Sequence, residues 1–452
     1  MRLAFRHKIL SLGPPTKTKM VLCYNTSTLK MSYYVKIKVA FCVAFIGICC
    51  TVQGQDLEET STYMAPELLI GKTLEANSNF PETNLQTDFL FSIGKHNLTN
   101  RSEWLYRLNH PRTGLTLGVI DFGNSEKIGK AYTLMPFIEF GVLKKKTNRL
   151  NLHIGLGGSY MDTQYDSTSN PFNNAITTQL NWSFRSFFYY DVYRLNHVDF
   201  RVGLGYFHHS NGHTQLPNQG LNSLLASVSA KFNSPKKSQK ALEHREFESS
   251  HQTYFGFRTG LGQNVLSETF NSKKEVYSVA ISAGKIINKT FKFGLGFHYR
   301  FYEHYYDYVK NGEALVADQE PGWIDQPYRY ATNYGVFLSS ELLLGHVGFE
   351  FDIGYNFYKP FYKIDWQLNQ GYDYQNGNGE TVVVLGVLDD YYKLKKSVPA
   401  RLGLKYYLIS NDKAPQHNVY IGAHINANLG QADFSELSLG YNFRLQLKNK
   451  KN

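Results

Sequence analysis

The chain has little with which to cross-link itself. Its four cysteines, Cys23, Cys42, Cys49 and Cys50, all precede residue 51, so whatever follows must be held by packing and backbone pairing alone. Long apolar runs are also missing: beyond residue 55 no segment approaches the roughly 20 residues a spanning helix needs. Long basic blocks are scarce too. Lys and Arg outnumber Asp and Glu by 48 to 37, but most are scattered singly and no basic tract interleaves with aromatics, which argues against a nucleic-acid partner. From Phe200 through Leu242 there is no Asp or Glu at all.

What is present begins with a targeting pattern. Met31-Ser-Tyr-Tyr-Val-Lys-Ile-Lys38 precedes an uninterrupted stretch from Val39 to Val52, and a polar segment starts at Gln53. Positive residues, a short apolar core and small residues before a polar segment make a secretory signal. Residues 1–54 therefore read as a targeting region, with translation starting at Met31, a signal peptide over 31–54 and Gln55 as the mature terminus.

The rest alternates with period two. Leu437, Leu439, Tyr441, Phe443, Leu445 and Leu447 take one face of a strand while Glu436, Ser438, Gly440, Asn442, Arg444 and Gln446 take the other. Phe291 to Phe301, Val419 to Ala427 and Leu150 to Leu156 repeat the pattern. Strands of about ten residues, Gly and charged side chains on the polar face and Tyr and Phe at the strand ends point to an all-β, transmembrane, outer-membrane antiparallel β-barrel rather than a sandwich. We expect roughly 12–16 strands by this criterion. A single barrel over residues 86–447 is expected, with no second domain. Residues 55–85 would form an N-terminal periplasmic segment, residues 448–452 a tail, and 233–252 and 310–328 charged loops.

One strand carries chemistry. Val198, Phe200, Val202, Leu204 and Tyr206 share an apolar, lipid-facing side, and the same parity puts His208 and Ser210 beside them. Asn222 opens the apolar face of the next strand, which continues through Leu224, Ala226 and Val228. Polar groups facing lipid cost free energy unless they satisfy one another. A hydroxyl, an imidazole and a carboxamide that do so are also the working parts of a hydrolase: Ser210 as nucleophile, His208 as general base and acid, and Asn222 orienting the ring. The Gly212 N–H and the Asn211 side chain stand beside Ser210 as oxyanion donors. The competing reading is ordinary polar residues at a barrel rim, since a His-x-Ser match arises by chance in a chain with 15 His. His209 and His213 read as solvated loop residues rather than metal ligands, because no Cys or carboxylate completes a set.

His208-His-Ser-Asn-Gly212 with Asn222 resembles the signature of outer-membrane phospholipase A, whose triad is Ser, His and Asn. His208-His-Ser-Asn211 followed by Pro217-Asn-Gln-Gly220 is also similar to the PagL-type lipid A 3-O-deacylases, as are Asp121-Phe-Gly-Asn124 with Gly129 and Asn170-Pro-Phe-Asn-Asn-Ala-Ile176. The second resemblance covers about residues 86–232 and departs at Asn222, where that family usually has Glu. The resemblances imply an outer-membrane protein of a Gram-negative bacterium that cleaves an acyl ester of a membrane lipid, most directly the 3-O-linked chain of lipid A, with no cofactor. The positions matching the phospholipase's calcium ligands are His213 and Asn218, which do not make a hard-cation set, so no metal is expected. The alternatives are a phospholipase A and a non-catalytic porin or lipid-transport barrel. A wide lumen with a charged constriction would favour the porin, and a filled barrel with a lipid-side groove at Ser210 the enzyme.

Overall fold

The computed structural model describes residues 61–96, 102–142, 149–234 and 246–445. The proposed signal peptide and the C-terminal tail lie outside them. Within the described residues the strands pair antiparallel and close twice, into two barrels of eight strands each. This corrects the expectation of one barrel over 86–447. Sixteen strands do enter barrel walls, but the eighth returns to the first and seals a cylinder before the ninth begins.

The first barrel comprises β1 (Ser61–Leu74), β2 (Gln86–His96), β3 (Arg112–Asp121), β4 (Lys130–Gly141), β5 (Leu150–Met161), β6 (Leu180–Leu195), β7 (Val198–Ser210) and β8 (Leu221–Asn233). β1 pairs with β8 from Tyr63↔Asn233 to Leu74↔Asn222. The segment 61–74, expected in the periplasm, is thus a wall strand. Its alternation is blurred because the inward side carries Tyr63, Ala65 and Leu69 alongside Glu67, all buried, and Leu68-Leu69-Ile70 reads as a continuous run.

The second barrel uses β9 (His251–Asn264), β10 (Lys274–Ile287), β11 (Phe291–Tyr302), β12 (Thr332–Leu344) and β13 (Val347–Tyr358). A small outlying hairpin follows, β14 (Tyr372–Gln375) with β15 (Thr381–Val384), and then β16 (Pro399–Tyr407), β17 (His417–Asn428) and β18 (Gln431–Leu445) complete the wall. β18 closes onto β9 from Ser435↔Gln263 to Leu445↔Thr253. Short helices, Glu103–Arg107 and Asp390–Ser397, stand outside the walls. The region 310–328, read as a charged loop, also contains the helix Ala314–Gln319.

Both lumens are filled. Eight strands leave an interior only wide enough for side chains, and here these are paired charges. In the first barrel Glu67 accepts from Arg185 Nη2 at 3.1 Å and from the Tyr189 hydroxyl at 2.6 Å, and Glu139 takes Arg112 and Arg201 at 2.6 and 2.8 Å. In the second, Glu341 receives Lys292 and Lys405 at 2.9 and 3.0 Å, and Arg401 joins Glu350 and Glu436. An interior cavity of the second barrel, beside Arg258, Lys292, Glu350 and Lys405, measures only about 10 Å3. The outer walls carry the apolar partners of the alternation, with Leu204, Leu295, Leu338 and Leu439 all more than half exposed, as a lipid-facing surface requires.

Antiparallel order fixes the ends. β1 runs away from the N-terminal end and so does every odd strand of the first barrel, β7 included. The connections 75–85, 122–129, 162–179 and 211–220 therefore gather at the far end, where β7 finishes at Ser210.

Candidate active site on the outer wall of the first barrel

The parity read from the sequence holds along β7. Asp199, Arg201, Phe207 and His209 are buried in the lumen, while Phe200, Val202 and Leu204 are exposed outside. His208 shares the outer side, and on β8 Asn222 does so too. The two are direct cross-strand partners, and the ring Nδ1 lies 2.8 Å from Asn222 Oδ1. The same oxygen accepts the hydroxyl of Tyr206, whose ring is nearly parallel to the imidazole, 10° off at 6.4 Å between centroids. With Nδ1–H donated to the carboxamide, Nε2 is left unprotonated and able to act as a base.

Ser210 is buried and pairs across to Trp182 of β6. Among the described residues neither its Oγ nor His208 Nε2 makes a hydrogen bond. Gly220 lies against both residues. This residue has φ +76°, and a Cβ there would stand 2.9 Å from His208 Cε1 and 3.5 Å from Ser210 Cβ. Any side chain there would crowd His208 and Ser210, so the position requires glycine both for its backbone conformation and for the room.

The motifs of the far-end loops explain how Gly220 is held. The Gly220 N–H donates to Ala175 O at 3.0 Å and the Gln219 N–H to Asn174 O at 2.9 Å. The loop carrying Ala175 is pinned in turn, since Asn170 and Asn173 donate to Lys127 O at 2.8 and 2.9 Å. Asn124 in its turn donates to Glu82 O at 2.8 Å. The residues quoted above for their resemblance thus form a chain of loop-to-loop contacts that ends at the candidate site.

The two expected oxyanion donors differ. Asn211 is buried, its Nδ2 donates to Gln215 O at 2.7 Å and its Oδ1 accepts from the Thr214 N–H at 3.1 Å. Its amide closes the 211–215 turn and leaves at most one hydrogen for a substrate. The Gly212 N–H makes no hydrogen bond among the described residues, and Gly212 sits at φ +65°.

His209 and His213 are not solvated loop residues. His209 lies in the lumen, with Nδ1 2.8 Å from Ser183 Oγ and 3.2 Å from Ser159 Oγ. His213 packs against the second barrel, and burial pushes its imidazole below the usual histidine range. Among the described residues no three His, Cys, Asp or Glu side chains gather as a metal-ligating group.

Below the His208–Asn222 pair, on the lipid side, runs a groove of about 900 Å3 lined by Ile70, Phe188, Leu204, Tyr206, Leu224 and Ala226. It spans four strands, so no single segment announces it. Tyr206 could have been found from strand parity, and Gly220 was already within a quoted motif.

Comparison with known proteins gives one family match. Residues 94–231 match lipid A 3-O-deacylase (PagL), a family of outer-membrane ester hydrolases, and the matched stretch runs from within β2 to within β8. The chain is an outer-membrane β-barrel protein. Solved structures that align with it include a mutant porin of Rh. blastica, at 10% identity over 86% of this chain and 99% of that one, TM-score 0.14. OprB of Pseudomonas putida aligns at 10% identity over 86% and 94%, TM-score 0.16. OccAB4 of Acinetobacter baumannii aligns at 10% identity over 86% and 98%, TM-score 0.20. No curated protein matches the sequence.

Proposed function

We propose that the first barrel hydrolyses an acyl ester of a membrane lipid, the 3-O-linked chain of lipid A, and does so from its lipid-facing wall. The observation that carries this reading is the His208–Asn222 pair, 2.8 Å apart, held on the outer wall beside Ser210 and above the apolar groove. The family match over residues 94–231 supplies the substrate class.

In this reading His208 Nε2 takes the proton of Ser210 as Oγ attacks the ester carbonyl. The imidazolium that forms keeps its Nδ1–H on Asn222 Oδ1, and the tetrahedral oxyanion is received by the Gly212 N–H. His208 then protonates the departing sugar hydroxyl. Water, activated by the same ring, releases the fatty acid from Ser210. The acyl chain lies in the groove along Leu204, Leu224 and Ile70 and never leaves the bilayer, so an outward-facing site needs no lumen. β7 is an odd strand running away from the N-terminal end, so a periplasmic N-terminus sets His208 at the outer leaflet, where lipid A resides.

The filled lumens weigh against a porin. Asn222 favours a second reading within the same class, because Ser-His-Asn is the phospholipase arrangement. The test is to express wild type and Ser210→Ala in outer membranes and compare lipid A and glycerophospholipids by mass spectrometry. We expect lipid A lacking one acyl chain in the wild type only. Loss of acyl chains from phospholipids instead would select the second reading, and identical lipids in both strains would sink both.

A further inference from the structure

The loop that follows Ser210 is held at its main chain by residues of the other barrel's segment of the chain. Ser435, in β18, donates Oγ–H to Gly212 O at 3.3 Å, and Ser435 Oγ in turn accepts from Trp182 Nε1 at 3.0 Å. The Val265 N–H donates to His213 O at 3.2 Å. Asn271 completes the set: its Oδ1 accepts from the Leu216 N–H at 2.9 Å and its Nδ2 donates to Leu216 O at 2.6 Å, as a neighbouring strand would.

We infer that the second barrel is a positioning device for the first: Ser435 and Asn271 hold the 211–216 loop so that the Gly212 N–H faces the oxyanion formed at Ser210. The inference rests on the hydrolase reading above and adds to it a role for the half of the chain that no family match reaches.

Three features separate this from simple adhesion between barrels. The contacts fall on backbone atoms of Gly212, His213 and Leu216, which set peptide orientation, and not on side chains that could swing away. Ser435 touches both flanks of Ser210, the cross-strand Trp182 and Gly212 two residues on. And residue 212 must be glycine for the approach, since a Cβ there would lie 2.2 Å from Ser435 Oγ. A one-ångström error in an oxyanion donor is enough to cost catalysis dearly, and the first barrel's own contacts at Gln219 and Gly220 hold only the far end of the ten-residue connection, eight residues from Gly212. Asn211 supplies the internal brace, and the second barrel supplies the external one.

The test uses the full chain in detergent micelles with purified lipid A, comparing wild type, Ser435→Ala, Ser435→Thr and Asn271→Ala, with band shift on heating in sodium dodecyl sulfate to confirm that the barrels are closed. Reaction of Ser210 with a fluorophosphonate is followed in parallel, since that adduct also places an oxygen in the oxyanion site. We expect Ser435→Ala and Asn271→Ala each to lower kcat by about 10- to 100-fold with KM within about twofold. Labelling should slow in step, and Ser435→Thr, which keeps the hydroxyl, should recover most of the rate. Wild-type kcat and labelling in both alanine variants would overturn the inference, and so would a change confined to KM or a threonine variant as slow as the alanine one. If the wild type shows Ser210 labelling that the variants lose but cleaves no lipid A, the positioning stands and the substrate reading falls. If it neither cleaves nor labels, both fall.

Discussion

His208 and Asn222 face each other across a single rung of the β7–β8 ladder, and one carboxamide oxygen serves both the imidazole and the Tyr206 hydroxyl. Replacing Asn222 by Leu removes the acceptor that fixes the ring and should lower kcat by about 100-fold. Tyr206→Phe removes one hydrogen bond and leaves the ring stack, so a loss of only about fivefold is expected, the equivalent of roughly 1 kcal/mol. Initial-rate kinetics on lipid A in micelles would check both. Equal effects of the two changes would contradict the distinction.

The groove makes a prediction about chain length. Ala226 lies on its floor, opposite Leu204 in the ladder and opposite Ile70 on the other side. Ala226→Trp should obstruct its floor and raise KM for esters of long fatty acids while sparing a short-chain ester that needs only Ser210, His208 and Gly212. Comparing a p-nitrophenyl butyrate with the palmitate ester reads this directly. A uniform loss on both would mean the groove does not hold the acyl chain.

The lumens should govern stability rather than turnover. Arg401 is buried among Glu350, Glu436 and His424, donating to Glu436 Oε1 at 2.9 Å and lying 2.8 Å from His424 Nδ1. Arg401→Ala leaves two buried carboxylates short of a partner and should cost about 3–5 kcal/mol, read as a lower urea midpoint for loss of the heat-modifiable band. Initial rates under native conditions should change far less than for any substitution at the site.

A pH effect is expected at the far end of the second barrel. Asp365, on the helix Tyr362–Asn369, accepts from Tyr305 at 2.8 Å and Asn369 at 2.6 Å, and burial raises its carboxyl to about 6, against the lowering pull of Lys359. An acid whose pKa is raised by folding binds more protons folded than unfolded between its ordinary value, near 4, and its folded value. Its contribution to stability is therefore greatest below the ordinary value and is lost as the pH climbs through this window, with no further change above it. Asp365→Asn should abolish that decline, so urea midpoints of variant and wild type should differ more at pH 7 than at pH 4. A constant difference across the range would refute the assignment.

Local rules made the strands and the site legible, and non-local ones hid the closure. In β11, and in β18 from Leu437 onward, one face is apolar and the other carries His298, Arg300 and Arg444, so period and orientation follow from side-chain chemistry alone. The same parity sets His208 on the lipid-facing side, and carried one residue further it puts His209 in the lumen, which the reading of His209 as a solvated loop residue missed. Which strand neighbours which is another matter, because alternation specifies faces and not partners. Nothing within Leu221–Asn233 announces that it pairs with Ser61–Leu74, more than 140 residues earlier, so two cylinders read as one. The support from Ser435 and Asn271 was hidden for the same reason: it joins residues 223 and 55 positions apart, whose side chains mean nothing to each other until both barrels are closed.

The closure of β8 onto β1 before β9 begins has an effect on stoichiometry. Each cylinder satisfies its own backbone, so the two could exist as separate molecules, and the weak polar contacts between them would then have to be won by diffusion within the bilayer. Covalent continuity from Asn233 to His251 turns that encounter into an intramolecular one, at a local concentration far above what free partners reach. Every copy synthesised is matched with its companion in a fixed ratio of one to one, and gene dosage cannot unbalance the pair.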